Sequence, residues 1–130
     1  MDMINRRKRI TTIVASLLLL TGLFLGSCDK YSFEPPQADP NKEVSFASDI
    51  QPIFNSNCVG CHSGSVNPNL SEGEAYDELI SGDYIADDPE NNAEESLIYS
   101  KLLEPSHRAN ASTFEKSLIL VWIQQGAKDN

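Results

Sequence analysis

The five residues Cys58-Val59-Gly60-Cys61-His62 restrict this chain more than any other stretch of it. Two residues between the cysteines put both sulfurs within one turn of backbone, and an imidazole follows at once. Gly60 removes side-chain bulk where the backbone must pass close to whatever the sulfurs hold. A run of this kind is the attachment pattern of one covalent c-type haem: the two thiols add to the two vinyl groups on one side of a porphyrin, and the next residue, His62, reaches the iron as proximal ligand. Other chemistries use the same residue types. An exported pair of closely spaced cysteines can close as a disulfide. A thioredoxin-like redox site would need a βαβ surround, and none is legible. Cys58, Cys61, His62 and His107 have the ligand types of a structural zinc site, although adjacent Cys61 and His62 cannot easily take two corners of one tetrahedron.

The N-terminus supplies the matching compartment. Arg6, Arg7, Lys8 and Arg9 precede a largely apolar stretch from Ile10 to Leu25, which is the order of a secretory signal. The stretch falls short of the roughly 20 residues of a spanning helix, so export rather than a retained span is expected. It ends Leu25-Gly26-Ser27-Cys28. Small residues directly before a cysteine resemble the lipobox of bacterial lipoproteins, and that resemblance implies that Cys28 is acylated and becomes the first residue of the mature chain. Several acyl chains on one residue anchor firmly where a single chain does not. The alternative is cleavage elsewhere, with Cys28 a stray thiol. Residues 1–27 are thus expected to be a signal peptide of lipoprotein type, residues 28–43 a lipidated N-terminus and tether stiffened by Pro35, Pro36 and Pro40, and residues 44–130 the folded domain. The location implied is a membrane surface facing the periplasm or the cell exterior.

The whole chain carries −9, residues 1–27 contribute +3, and the remainder therefore carries −12. Nucleic acid is an unsuitable partner for such a charge. No Lys or Arg occurs between Lys42 and Lys101, while Glu72, Glu74, Asp77, Glu78, Asp83, Asp87, Asp88, Glu90, Glu94 and Glu95 crowd that interval. The acidic stretch reads either as a solvated surface that keeps an exported protein soluble or as a docking face for redox partner proteins with a basic surface. A calcium loop over 83–90 is the weakest reading, because the spacing of a known hand motif is missing.

Helical periodicity dominates beyond the tether, which predicts an all-α domain of about four short helices. The first is expected to start near Ser48 or Asp49, with Gln51 returning a bond to a Ser48 cap, Pro52 in the first turn, and Ile50, Ile53, Phe54 and Cys58 on one face. A second over 72–80 would bury Ala75, Tyr76, Leu79 and Ile80 and stop at Gly82. A third over 94–103 would place Leu97, Ile98, Lys101 and Leu102 in the periodic positions and end before Pro105. The last has a capping box, Ser112 with Glu115, an apolar stripe of Phe114, Leu118, Val121 and Trp122, and Gly126 where a C-terminal stop belongs. A domain this small buries a thin core, and a bound haem would thicken it.

Together, Asp49-Ile50-Gln51-Pro52-Ile53-Phe54 before the pentapeptide and Trp122-Ile123-Gln124-Gln125-Gly126-Ala127 at the end resemble the small single-haem cytochromes c, in particular the c-type domains of exported bacterial lipoproteins. The resemblance covers roughly residues 44–130. It implies a cytochrome c-like fold in which the N- and C-terminal helices pack crosswise, with Phe54 and Trp122 in matching places; where the family often has a glycine one turn before the aromatic, this chain has Ile50. It also implies that Pro68 offers its carbonyl to the His62 ring, although a plain Asn-Pro-Asn turn accounts equally for that residue.

The family usually draws its sixth iron ligand from a methionine in the loop before the last helix. The only methionines here are Met1 and Met3, and both leave with the signal. His107 lies in that loop and is the leading candidate for the distal ligand; the alternatives are an open or water-filled site with His107 at the surface, or Lys101 or a tyrosine. No general acid, nucleophile or second constellation is legible, so single-electron transfer without catalysis is expected. A haem-bearing accessory or sensor subunit, or a peroxidase-like enzyme if the distal site is open, are the competing functions.

Overall fold

The computed structural model describes residues 3–9, 13 and 35–130. Cys28, its flanking residues and most of the apolar stretch lie outside the described residues. Residues 3–9 are helical, and no helix among the described residues is long and apolar enough to cross a membrane. The second unit, Pro35–Asn130, is all-α, as expected, with no strand among the described residues.

Helix formation in this unit starts earlier than the periodicity suggests. A π-helical stretch, Phe46–Ile50, runs directly into α1 (Gln51–Asn57). The cap is Ser45, not Ser48 or Asp49: its hydroxyl accepts from the Ser48 amide at 3.2 Å, and Asp49 Oδ2 reaches back to the Ser45 amide at 2.9 Å. This reciprocal arrangement satisfies two donors that the helix start would otherwise leave unpaired. Gln51 is consequently free of capping. It is buried, and its amide donates to Leu70 O at 3.0 Å and Asn55 Oδ1 at 2.9 Å, so that it ties α1 to the loop after the pentapeptide.

Four more helices follow: α2 (Ala75–Ser81), α3 (Pro89–Asn92), α4 (Leu97–Leu103) and α5 (Thr113–Gln124). In α2, Ala75 and Leu79 are buried and Tyr76 is half-buried, but Ile80 is 45% exposed, contrary to expectation. The third expected helix is broken at Ser96, whose backbone is extended (φ −58°, ψ 129°). A 3-10 turn, Ala93–Glu95, precedes the break. The cause is side-chain chemistry: buried Ser96 accepts from the Ala86 amide at 3.0 Å, and Ile98 N donates to Tyr84 O at 3.1 Å, which staples the 82–88 loop against the start of α4.

The last helix has the expected capping box. Ser112 Oγ accepts from Glu115 N at 3.2 Å, and Glu115 Oε2 accepts from Ser112 N at 2.7 Å. Ser112→Ala should cost about 1 kcal/mol of stability, the usual worth of such a cap, measured as a lowered denaturation midpoint that Ser112→Asp restores. At the other end Gly126 takes a φ of +92°, and the Ala127 amide closes back onto Trp122 O at 3.0 Å. A residue with a side chain resists that left-handed conformation, which is why glycine stops the helix here. The buried face of α5 is Ser117, Ile119, Val121, Trp122 and Ile123, whereas Phe114 is 41% exposed and Leu118 only half-buried. The expected stripe is therefore rotated.

Trp122 and Phe54 are fully buried and lie on either side of Phe46, whose ring centre is 5.2 Å from that of Trp122 and 6.2 Å from that of Phe54. Tyr76 adds an edge contact to Phe46 at 5.3 Å and donates its hydroxyl to Ala127 O. This aromatic cluster joins the π-helical stretch, α1, α2 and α5. The second half of the expected tether is part of the same unit. Ala38 is buried with its amide on Ser117 Oγ at 2.8 Å, and Gln125 donates to Pro40 O and Lys42 O while accepting from the Val44 amide. Those long-range bonds to α5 hold residues 38–44 against the domain.

Candidate functional site

The last turn of α1 delivers the pentapeptide. Cys58 N donates to Phe54 O at 2.9 Å, and then Cys61 N and His62 N both turn back onto Cys58 O at 3.1 and 3.0 Å. One tight turn thus carries the two free thiols, Cys58 half-buried and Cys61 exposed, together with His62. The chain then loops away and returns: Leu70 N donates to His62 O at 2.7 Å, and Leu70 O is the atom that Gln51 holds. Both ends of the loop are therefore pinned to the helix that bears the motif.

Pro68 is buried in this loop, and its carbonyl lies 3.1 Å from His62 Nδ1. A carbonyl only accepts, so Nδ1 donates to it, which leaves Nε2 as the ring nitrogen available to a metal and fixes the ring against rotation.

His107 lies in the loop between α4 and α5. A turn closed by His107 N and Arg108 N on Glu104 O presents it, the Lys116 ammonium holds the Arg108 carbonyl, and Ser106 Oγ sits 2.9 Å from Nδ1. The two imidazoles, far apart in sequence, come together with ring centres 6.3 Å apart and planes inclined at 44°. Both thiols and both rings line one cavity of about 390 Å³, within the ~300–1,000 Å³ of ordinary ligand pockets. Its remaining wall is mostly apolar: Leu70, Ile98 and Leu102 from the core side, Val66 and Leu97 at the rim. Tyr84 and Lys101 line it as well, the latter paired with Glu104 at 2.8 Å. The periodic pattern put Leu97 inside a helix core; its 40% exposure and its place at the cavity rim explain why an apolar residue stands there.

This donor set fits a porphyrin better than the competing chemistries. No group of three or more His, Cys, Asp or Glu side chains suited to one metal ion forms among the described residues, so the four zinc-type ligands do not converge as a tetrahedron would demand. A redox-active thiol pair needs a depressed thiol pKa. Here burial, and secondarily the Glu115 charge, pushes the Cys58 thiol up from 9.0 to about 11. In the unmodified chain, Cys58 should therefore react with iodoacetamide at neutral pH more slowly than an ordinary thiol, because the raised pKa leaves less of it as thiolate. Peptide mapping should find exposed Cys61 modified first, and equal labelling of the two would contradict the burial argument.

One element of the site escaped the sequence reading. Glu115 is engaged beyond its cap: its Oε1 accepts from Asn57 Nδ2 at 3.1 Å, which joins the start of α5 to the residue before Cys58. Only the capping half of that arrangement has a local sequence signal. No protein-family model matches this chain, and neither does any curated protein or solved structure.

Proposed function

We propose that the chain is a single-haem c-type cytochrome that transfers electrons from a lipid-anchored position at a membrane surface. The observation that carries this reading is the convergence, on one cavity, of the Cys58 and Cys61 thiols with two imidazoles 6.3 Å apart. His62 and His107, whose rings face one cavity at this separation, are the two side chains that would hold the iron of such a haem. The observed separation therefore supports His62 as proximal and His107 as distal ligand. When bound, haem supplies a one-electron ferric–ferrous couple. The chain's own residues do the rest: the thiols fix the porphyrin in place, Pro68 O orients His62, the 104–111 turn presents His107, and the apolar wall lowers water access and with it the ease of charging the iron. Two nitrogen ligands in place of a methionine favour a lower potential than a methionine-ligated haem has.

The fold reading goes with this function. Phe54 and Trp122, each packed against Phe46, stand in the helices before the pentapeptide and at the C-terminal end and support the cytochrome c-like assignment. Cys28 is proposed as the acylated residue, with residues 1–27 removed on export. The acidic interval between Lys42 and Lys101 suits a redox partner with a basic docking face.

His107→Ala tests the ligand set. In protein matured with the c-type attachment machinery, the wild-type ferrous form is expected to be six-coordinate, low-spin and unreactive to CO at short times. The variant is expected to be high-spin and to bind CO at once. An unchanged low-spin spectrum in the variant would remove His107 from the iron.

A further inference from the structure

We propose that Glu115 sets the reduction potential of the iron: its carboxylate, clamped between the end of α1 and the cap of α5 and bonded to the residue before Cys58, favours the ferric state. This inference rests on the haem reading above and adds a residue to it. Both carboxylate oxygens are committed, Oε1 to Asn57 Nδ2 at 3.1 Å and Oε2 to the Ser112 amide at 2.7 Å, while the Glu115 amide donates to Ser112 Oγ. Moving the carboxylate away would break the cap and the Asn57 bridge together. The Ser112 bonds foremost, with that from Asn57, hold its carboxyl below the usual range, so the charge is present at neutral pH. It sits at the attachment turn, because Asn57, which it holds, immediately precedes Cys58 and lines the same cavity as both thiols.

The consequence follows from charge alone. A haem held here would take one electron from a redox partner protein on reduction, and the iron–porphyrin unit would lose one positive charge. A fixed negative charge nearby stabilises the more positive ferric form more than the ferrous one, which lowers the potential. A Glu at this position is not needed for the cap itself, since Gln serves the third helical position equally well. The charge and the cap are thus separable by substitution.

Glu115→Gln removes the charge and keeps one acceptor oxygen, for the Ser112 amide, while Asn57 can stay bonded only by turning its own amide over to accept from the new NH2 group. In spectroelectrochemical titration of the haem-loaded protein, it is expected to raise the midpoint potential, with the absorption spectrum unchanged and with a shift that shrinks as ionic strength rises. In haem-free chain the same variant is expected to speed alkylation of Cys58. Glu115→Ala, which loses charge and clasp together, should show the same rise in potential along with lower stability. A haem-loaded Glu115→Gln with the wild-type midpoint overturns the inference and leaves Glu115 a structural clasp only. A wild-type chain that carries no haem by denaturing mass measurement overturns the cytochrome reading itself, and this inference with it, so the two failures are told apart before any potential is measured.

Discussion

A chain with both Cys58 and Cys61 exchanged for alanine is expected to emerge from a host competent in c-type maturation with no haem that survives denaturation. The two sulfurs sit on one turn, closed by the Cys61 and His62 amides on Cys58 O. Without them nothing in the cavity bonds covalently to a porphyrin. His62 and His107 would remain, and a metal–imidazole bond does not survive unfolding. Each single exchange should leave one thioether and hence retained haem, weaker for loss of Cys58 than of Cys61, because Cys58 is the more deeply set of the pair. The check is haem-dependent peroxidase staining of a denaturing gel, and haem retained by the double variant would contradict the assignment. A second effect follows from packing. The cavity of about 390 Å³ lined by Leu70, Ile98 and Leu102 lacks partner atoms when no porphyrin fills it. Each such apolar wall loses dispersion contacts in proportion, so the double variant should also unfold at lower denaturant concentration than the haem-loaded protein.

Trp122→Ala should bring the largest loss of stability among single core substitutions, about 3–5 kcal/mol. Small domains are stable by only about 5–15 kcal/mol, so the variant should lose a large share of its stability. Trp122 has no exposed surface, its ring packs 5.2 Å from that of Phe46, and its indole N–H donates to Lys128 O at 2.9 Å. Truncation opens a cavity in the one cluster that joins both ends of the domain, and it strips the partner from a carbonyl in the C-terminal segment. Trp122→Phe keeps most of the volume and should lose markedly less. Urea denaturation followed by far-ultraviolet circular dichroism measures both. A loss below about 1 kcal/mol for Trp122→Ala, the size of an average substitution, would show that the cluster does not hold the domain together.

What the sequence made legible divides along the range of the interactions involved. The cap of α5 and its stop at Gly126 were readable because each is made by residues within a few positions of one another. The same is true of the pentapeptide, whose geometry is set by short-range backbone bonds onto Phe54 O and Cys58 O. The misplaced start of the first helix has a local cause too: Ser45 with Asp49 is a capping pair, but the π-helical stretch behind it carries one residue more per turn than the 3.6 period allows, so the apolar pattern pointed to Ser48.

The remaining differences are long-range. Gln51 and Ser96 are polar residues that read as surface or cap positions and are buried because Leu70 O and the Ala86 amide need them. Ala38 and Pro40 read as tether and are held by Ser117 and Gln125 from the far end of the chain. Ile80, Leu97 and Phe114 fit an apolar period and are nevertheless exposed; for Leu97 the cavity rim supplies the reason, while nothing in the structure explains Ile80 or Phe114. At the site, counting excluded methionine as a distal ligand, and the position of His107 before the last helix drew attention to it. The 6.3 Å approach of its ring to His62 depends on how α4 and the 104–111 turn fold back over the motif, which no local pattern encodes.

The claim on which everything else depends is a porphyrin joined by thioether bonds to Cys58 and Cys61, with His62 on its iron. Intact-mass measurement under denaturing conditions, on mature protein purified from a host able to attach haem, tests it most directly. The prediction is a polypeptide heavier by one haem, with the added mass mapping to the peptide that contains residues 58–62. A polypeptide at its bare mass, with both thiols open to alkylation after unfolding, would contradict it.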